Sequence, residues 1–254
     1  MTKEEQMLIQ HFNDLSERAY VQNRPCFTDF LDMNEQSLLL SRFSGPLPPV
    51  LYGGYELAER KIARFSETEV SFPVKWLHIT PAHPKYSENL GHRDFLGSIL
   101  GLGLERSCIG DILVKDASAF VLCLNRVSDF IISELRMVRH THVIVTEMEE
   151  LEDVIQPEFE IIRGSVHSLR LDAVISLAFH LSRSQSCSLI ESGQVFINNR
   201  LNVSNGASLK DGDHISVRHK GKFIFIDSNS KSKKTSVLLK YTNMYRRSFY
   251  VNTN

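Results

Sequence analysis

Apolar residues in the first stretch of the chain recur at helical spacing. Leu8, Phe12, Leu15 and Ala19 fall on one face of residues 3–22, and Pro25 follows the end. Asp32, with Glu35 three residues on, forms a capping-box pattern that starts a second helix, and Gly45-Pro46-Leu47-Pro48-Pro49 must be a loop. "VLYGGYELAERKIARFSE" reads as a short strand, a Gly-Gly turn and a helical or irregular segment.

From residue 73 the period changes. "VKWLHIT", "IGDILVK", "AFVLCLN" and "THVIVTE" alternate as strands. "RDFLGSILGLG" predicts a helix with Phe95, Leu96, Ile99 and Leu100 inward. "VSDFIISELRMV" predicts another, with Ile131, Leu135 and Val138 on one side. The order β-α-β-β-α-β is that of the split βαβ, ferredoxin-like and RRM-type arrangement. Pro157 and the acidic run Glu147 to Asp153 mark its end.

A third unit begins near Gly164. Leu171, Val174, Ile175 and Ala178 give "LRLDAVISLAFH" a helical stripe. Ser182 and Gln185 form a second capping box, and Gly193 occupies the left-handed position after that helix. "QVFIN", "HISVR" and "KFIFI" are strands, Asn198-Asn199 and Asp211-Gly212 are turns, "SNSKSKKTS" is a basic loop, and "VLLKY" is a possible last strand. The predicted class is α+β. A mixed N-terminal region occupies 1–72, an RRM-like domain 73–157, a small α/β module 164–228 and a basic extension 229–254.

Charge sharpens this division. Residues 1–162 carry 15 Lys and Arg against 25 Asp and Glu, a balance of −10, whereas residues 163–254 carry 14 against 5, a balance of +9. The basic third is expected to meet a polyanion, and the acidic two thirds a possible protein partner. The four dispersed cysteines and the absence of a long apolar run point to a reduced, cytoplasmic protein with no membrane span. No cofactor motif or metal-ligand set stands out.

Helix starts attract phosphate through their unpaired N–H groups. Arg170 and Arg183 begin the two helices of the third unit and are expected to share a face. Asp172, Ser182, Ser184, Ser188 and Asn198 accompany them, and Arg200, Arg218, Lys220 and Lys222 extend the basic surface. Asp172 would pair with a nearby arginine and orient it. "RLD" at 170–172 is also the setting of the catalytic aspartate in pseudouridine synthases, but there the aspartate lies in a large β-rich domain. "HRD" at 92–94 lacks every other kinase element. His92 and Arg93 therefore either fix a helix start or contact RNA. In the middle unit, "AFVLCLN" offers one aromatic, Phe120, and "IGDILVK" none, which argues against base stacking and for a docking role.

Two resemblances follow from these residues. Arg-Leu-Asp at 170–172, Ser-Arg at 182–183, Ile-Glu-Ser-Gly at 190–193, Val-x-Ile-Asn at 195–198 and Gly-Asp-x-Ile at 212–215 resemble the S-four RNA-binding domain. Ser184-Gln185-Ser186 is more polar than is usual there. "GHRDFLGSILGLGLERSCIGDI", residues 91–112, resembles the signature of the bacterial YlmH family. The resemblance implies a non-catalytic RNA-binding protein on the large ribosomal subunit, in contact with rRNA and with tRNA or peptidyl-tRNA, serving the rescue of stalled nascent chains. A cell-division role with secondary RNA binding is an alternative, and an RNA-modifying enzyme a further one.

Overall fold

The computed structural model describes residues 2–56, 58–149, 159–166, 168–218, 220–227 and 235–242. The chain divides into two compact units, Met1–Ile155 and Gln156–Asn254.

In the first unit, α1 (Lys3–Gln22) starts at Thr2, whose side chain and that of Glu5 cap each other's backbone N–H groups. It buries Phe12, Leu15 and Ala19. After β1 (Cys26–Phe27), α2 (Met33–Arg42) starts at the expected Asp32–Glu35 capping box. β2 (Val50–Tyr52) and β3 (Ile62–Phe65) complete a three-stranded sheet in the order β1-β3-β2. β3 falls in the segment expected to be helical or irregular. Glu-Arg-Lys favours a helix locally, but all four residues of β3 are buried and pair with strands on both sides, and that context overrides propensity.

The next elements are β4 (Val74–Pro81), α3 (His92–Leu100), β5 (Ile109–Lys115), β6 (Ser118–Leu124), α4 (Asn125–Glu134), β7 (Met137–Val138) and β8 (Thr141–Met148). The sheet order is β5-β6-β4-β8-β7, every pairing antiparallel. α3 buries Phe95 and Ile99, while Leu96 and Leu100 are only half-buried. α4 stops at Glu134, short of the expected Val138. Leu135 and Val138 are buried as expected, but Val138 gets there on β7, paired with Thr141.

Residues 1–72 and the middle segment are joined by a buried anchor. Asp111 accepts hydrogen bonds from Tyr55 Oη at 2.6 Å, Glu59 N at 2.7 Å and Arg60 N at 3.0 Å. Arg60 in turn donates to Ile109 O at 3.0 Å and Phe30 O at 2.7 Å. On the surface, Arg126 grips Asp29 with two bonds of 2.8 and 2.7 Å.

The second unit contains β9 (Phe159–Val166), α5 (Leu171–Ala178), α6 (Arg183–Glu191), β10 (Val195–Ile197), β11 (Arg200–Leu201), β12 (His214–Val217), β13 (Gly221–Asp227) and β14 (Thr235–Thr242). They form one antiparallel sheet, β11-β10-β12-β13-β14-β9. The sheet therefore begins before residue 164 and incorporates the possible last strand, because β14 pairs with both β13 and β9. Leu171, Val174, Ile175 and Ile190 of the helices share a core with Val195, Ile215, Phe223 and Phe225 of the strands. The acidic run's end at 150–153, Pro157, most of the basic loop and residues 243–254 lie outside the described residues.

Candidate nucleic-acid interface

The start of α5 is built by a loop that the chain reaches much later. Leu171 N donates to Ala207 O at 2.9 Å and Asp172 N to Asn205 O at 3.2 Å, and Arg170 bridges to Ser208. This places Arg170 at the N-cap and Asp172 in the first turn, turned into the unit and 2% exposed. A hydroxyl pair, Ser176 Oγ to Ser186 Oγ at 2.9 Å, joins α5 to α6 and brings the start of α6 alongside.

Both arginines converge on that carboxylate. Arg170 Nε lies 3.2 Å from Asp172 Oδ1 and its Nη2 3.3 Å from Oδ2, while Arg183 Nη2 lies 2.7 Å from Oδ2. Burial pushes the Asp172 carboxyl upward, but the hydrogen bond from Arg170 and the charges of Arg183 and Arg170 outweigh it, and the net shift is downward. The group is therefore a carboxylate at neutral pH. It neutralises one of the two cations and leaves a local excess of one positive charge. The two side chains remain 49% and 53% exposed. Guanidinium groups held at fixed angles by a buried acceptor are pre-organised donors for phosphate.

The other expected residues are distributed as follows. Ser182 caps α6, accepting from Gln185 N at 3.2 Å, while Ser182 N donates to Gln185 Oε1 at 2.9 Å. Ser184 and Ser188 are exposed on α6. Asn198 is tied into its turn, donating to Asp213 Oδ1 and accepting from His214 N, both at 2.9 Å, with φ of 50°. Arg200 and Lys220 are exposed, and the Arg218 guanidinium lies over the buried Phe196 ring at 5.5 Å. Lys222 is a correction. It stands inside the sheet between β12 and β14 and is 4% exposed, so it adds nothing to the basic surface.

In the first unit, Asp94 fixes the start of α3, its carboxylate accepting from Gly91 N at 2.8 Å. His92 is half-buried, and burial, then the nearby Arg106, pushes its imidazole pKa down. Arg93 is exposed. The Asp111–Arg60 anchor escaped the reading of the sequence, since nothing local marks either residue. Among the described residues, no group of three or more His, Cys, Asp or Glu is placed to hold a metal ion, and no helix is long and apolar enough to cross a membrane.

Residues 68–152 match the family described as "Putative RNA-binding domain in YlmH". The chain is also 29% identical, over 246 residues, to the "Ribosome-associated protein quality control protein P2" of Bacillus subtilis (strain 168), covering 89% of this chain and 95% of that protein. A solved structure, "Cell division protein ylmH from Streptococcus pneumoniae", is similar with a TM-score of 0.48 and 18% identity, over 58% of this chain and 93% of that one. The family match and the Bacillus relative support the YlmH resemblance carried by residues 91–112.

Proposed function

We propose that this chain is a non-catalytic, cytoplasmic RNA-binding protein that acts on the large ribosomal subunit in quality control of stalled nascent chains. In this reading residues 164–228 are an S-four module that grips rRNA and tRNA, and the middle segment is an RRM-like domain. The observation that carries it is the Arg170–Asp172–Arg183 cluster. One buried carboxylate aims two half-exposed guanidiniums from the starts of two adjacent helices. That arrangement recognises a backbone by shape and charge. It also argues against a catalytic Asp172, whose oxygens are already engaged by two arginines.

The test is co-sedimentation of the full chain with purified large subunits. Arg183→Ala and the Arg170→Ala, Arg183→Ala pair should lose binding roughly tenfold and more, the scale of a charge-assisted hydrogen bond to phosphate. A folded double variant that binds as tightly as wild type refutes the assignment. Unmodified rRNA after incubation is expected, and new pseudouridine that disappears in Asp172→Asn would establish the enzymatic alternative instead. A protein partner retained after nuclease treatment, with RNA binding dispensable in cells, would favour the division role.

A further inference from the structure

The five-stranded sheet of the first unit carries an aromatic stack that the sequence did not advertise. His78 of β4 is in register with Phe120 of β6, and their rings lie face to face, 4.3 Å between centroids and 8° from parallel. Neighbouring strands are about 4.8 Å apart, so the stack runs across the strands rather than along them. Phe120 is 2% exposed and His78 is half-buried. The strand on the far side of β4 is β8, and its residue in register with His78 is Thr146. Thr146 is exposed and too short to continue a column of rings.

The same face is closed at one end and open at the other. A Cβ on Gly54 would lie 2.7 Å from the Trp76 ring and 2.9 Å from Leu122, and one on Gly110 would lie 2.8 Å from the Phe30 ring. Residues of the N-terminal region thus roof the sheet over Trp76 and Leu122. Toward β8 and β7 the face is bare. His142, Ile144 and Thr146 are exposed while Thr141, Val143 and Val145, which alternate with them, are buried, and Met137 opposite His142 is exposed too. Ile144 is 53% exposed, large for an isoleucine in mid-strand. Arg136 and Arg139, both exposed, stand at this edge. Arg139 lies 3.5 Å from Glu88 and 3.8 Å from Asp94.

We propose that this strip is a stacking site for an unpaired nucleobase of single-stranded RNA, seated over Thr146 against the outer face of His78, with the backbone running toward Arg136 and Arg139. Domains that read single-stranded RNA on a sheet do so by stacking splayed bases on rings of the central strands. A duplex cannot offer such a base. Burial lowers the His78 pKa, so the ring is neutral at physiological pH and stacks without a charge of its own. The proposal rests on the RNA-binding reading above and locates a second contact, in the acidic unit.

The experiment uses the full chain and a short, mixed-sequence single-stranded RNA carrying fluorescein for anisotropy. A second copy of that RNA carries 4-thiouridine for cross-linking and peptide mapping. His78→Ala should weaken binding roughly tenfold, the scale of one stacked base, and His78→Phe should restore it. Thr146→Phe fills the proposed seat from an exposed position and should weaken binding without touching the core. Cross-links should map to residues 74–81 or 141–148. Neither His78→Ala nor Thr146→Phe should change binding of a hairpin-free duplex. If Thr146→Phe binds as wild type, or if every cross-link falls within residues 164–227, the stacking site is wrong while the C-terminal reading stands. If wild type binds neither this RNA nor large subunits, both readings fall. Retention of a protein rather than RNA on this strip, abolished by Thr146→Phe, also overturns it.

Discussion

Replacing Asp172 by Asn separates two views of how the C-terminal unit would hold RNA. The change adds one net positive charge beside the proposed phosphate site. If attraction alone set affinity, binding would tighten. The gain is small: one charge about 7 Å from a phosphate in water is worth about 0.6 kcal/mol, and screening at physiological salt cuts that to roughly 0.3 kcal/mol. Against it stands the loss of order. Arg183 is held at 2.7 Å by a carboxylate that Asn cannot replace, because one face of the amide is a donor. Immobilising a rotamer-rich side chain on binding costs about 0.5–1.5 kcal/mol, and Arg170, released by the same substitution, acts in the same direction. Order wins, so Asp172→Asn should bind large subunits roughly two- to tenfold more weakly at 150 mM salt. Co-sedimentation or surface-immobilised subunits give the number. A folded Asp172→Asn protein that binds as well as wild type, or better, refutes pre-organisation. The same substitution has a pH signature. Asp172 is held below the ordinary carboxylate value of 3.8, so its stabilisation is present above that pH and is lost as pH falls through the lower folded value. Asp172→Asn should flatten that acid limb of the unfolding profile.

Ala117 sits at φ 60° in the turn between β5 and β6, so Ala117→Gly should raise stability by about 0.5–1 kcal/mol; a lower melting temperature counts against it. Asp111→Ala removes the acceptor of three hydrogen bonds at a buried site, and chemical denaturation should show a loss of about 3–5 kcal/mol. A loss under 1 kcal/mol would mean that the anchor does not hold residues 1–72 to the sheet. His78 and His92 are both shifted down by burial, so unfolding takes up protons: stability of the first unit should be full above about pH 6.5 and decline as pH falls toward the folded values. The decline should shrink in His92→Gln, and a flat profile in wild type refutes it. If about four phosphates are neutralised, log affinity for large subunits should fall against log salt with a slope near ~3, roughly sixtyfold between 50 and 200 mM; a slope near zero removes the basic third from the interface.

The sequence by itself determined the parts whose cause is local. Both capping boxes and the left-handed Gly193 lie where spacing placed them, because a cap involves residues three positions apart. Apart from the two-residue β7, read as the end of a helix, the β-α-β-β-α-β order of residues 74–148 followed from changes of period. The starts of α5 and α6, with Arg170 and Arg183 on them, were equally legible, as was a partner for Asp172 among the arginines. Only the tertiary structure decided that both arginines share it, because Asp172 and Arg183 are brought together by helix packing across 11 positions. It also decided that Lys222 is buried and that β3 is a strand. Burial and pairing depend on which segments arrive on either side, and no local pattern encodes that. The His78–Phe120 stack is the sharpest instance. "AFVLCLN" and "IGDILVK" together hold one aromatic ring, but the antiparallel register of β4 and β6 sets a second, that of His78, against it from 42 residues away. Register is a property of the paired strands, set by the loops and the core that join them, and it exists only once the sheet has formed.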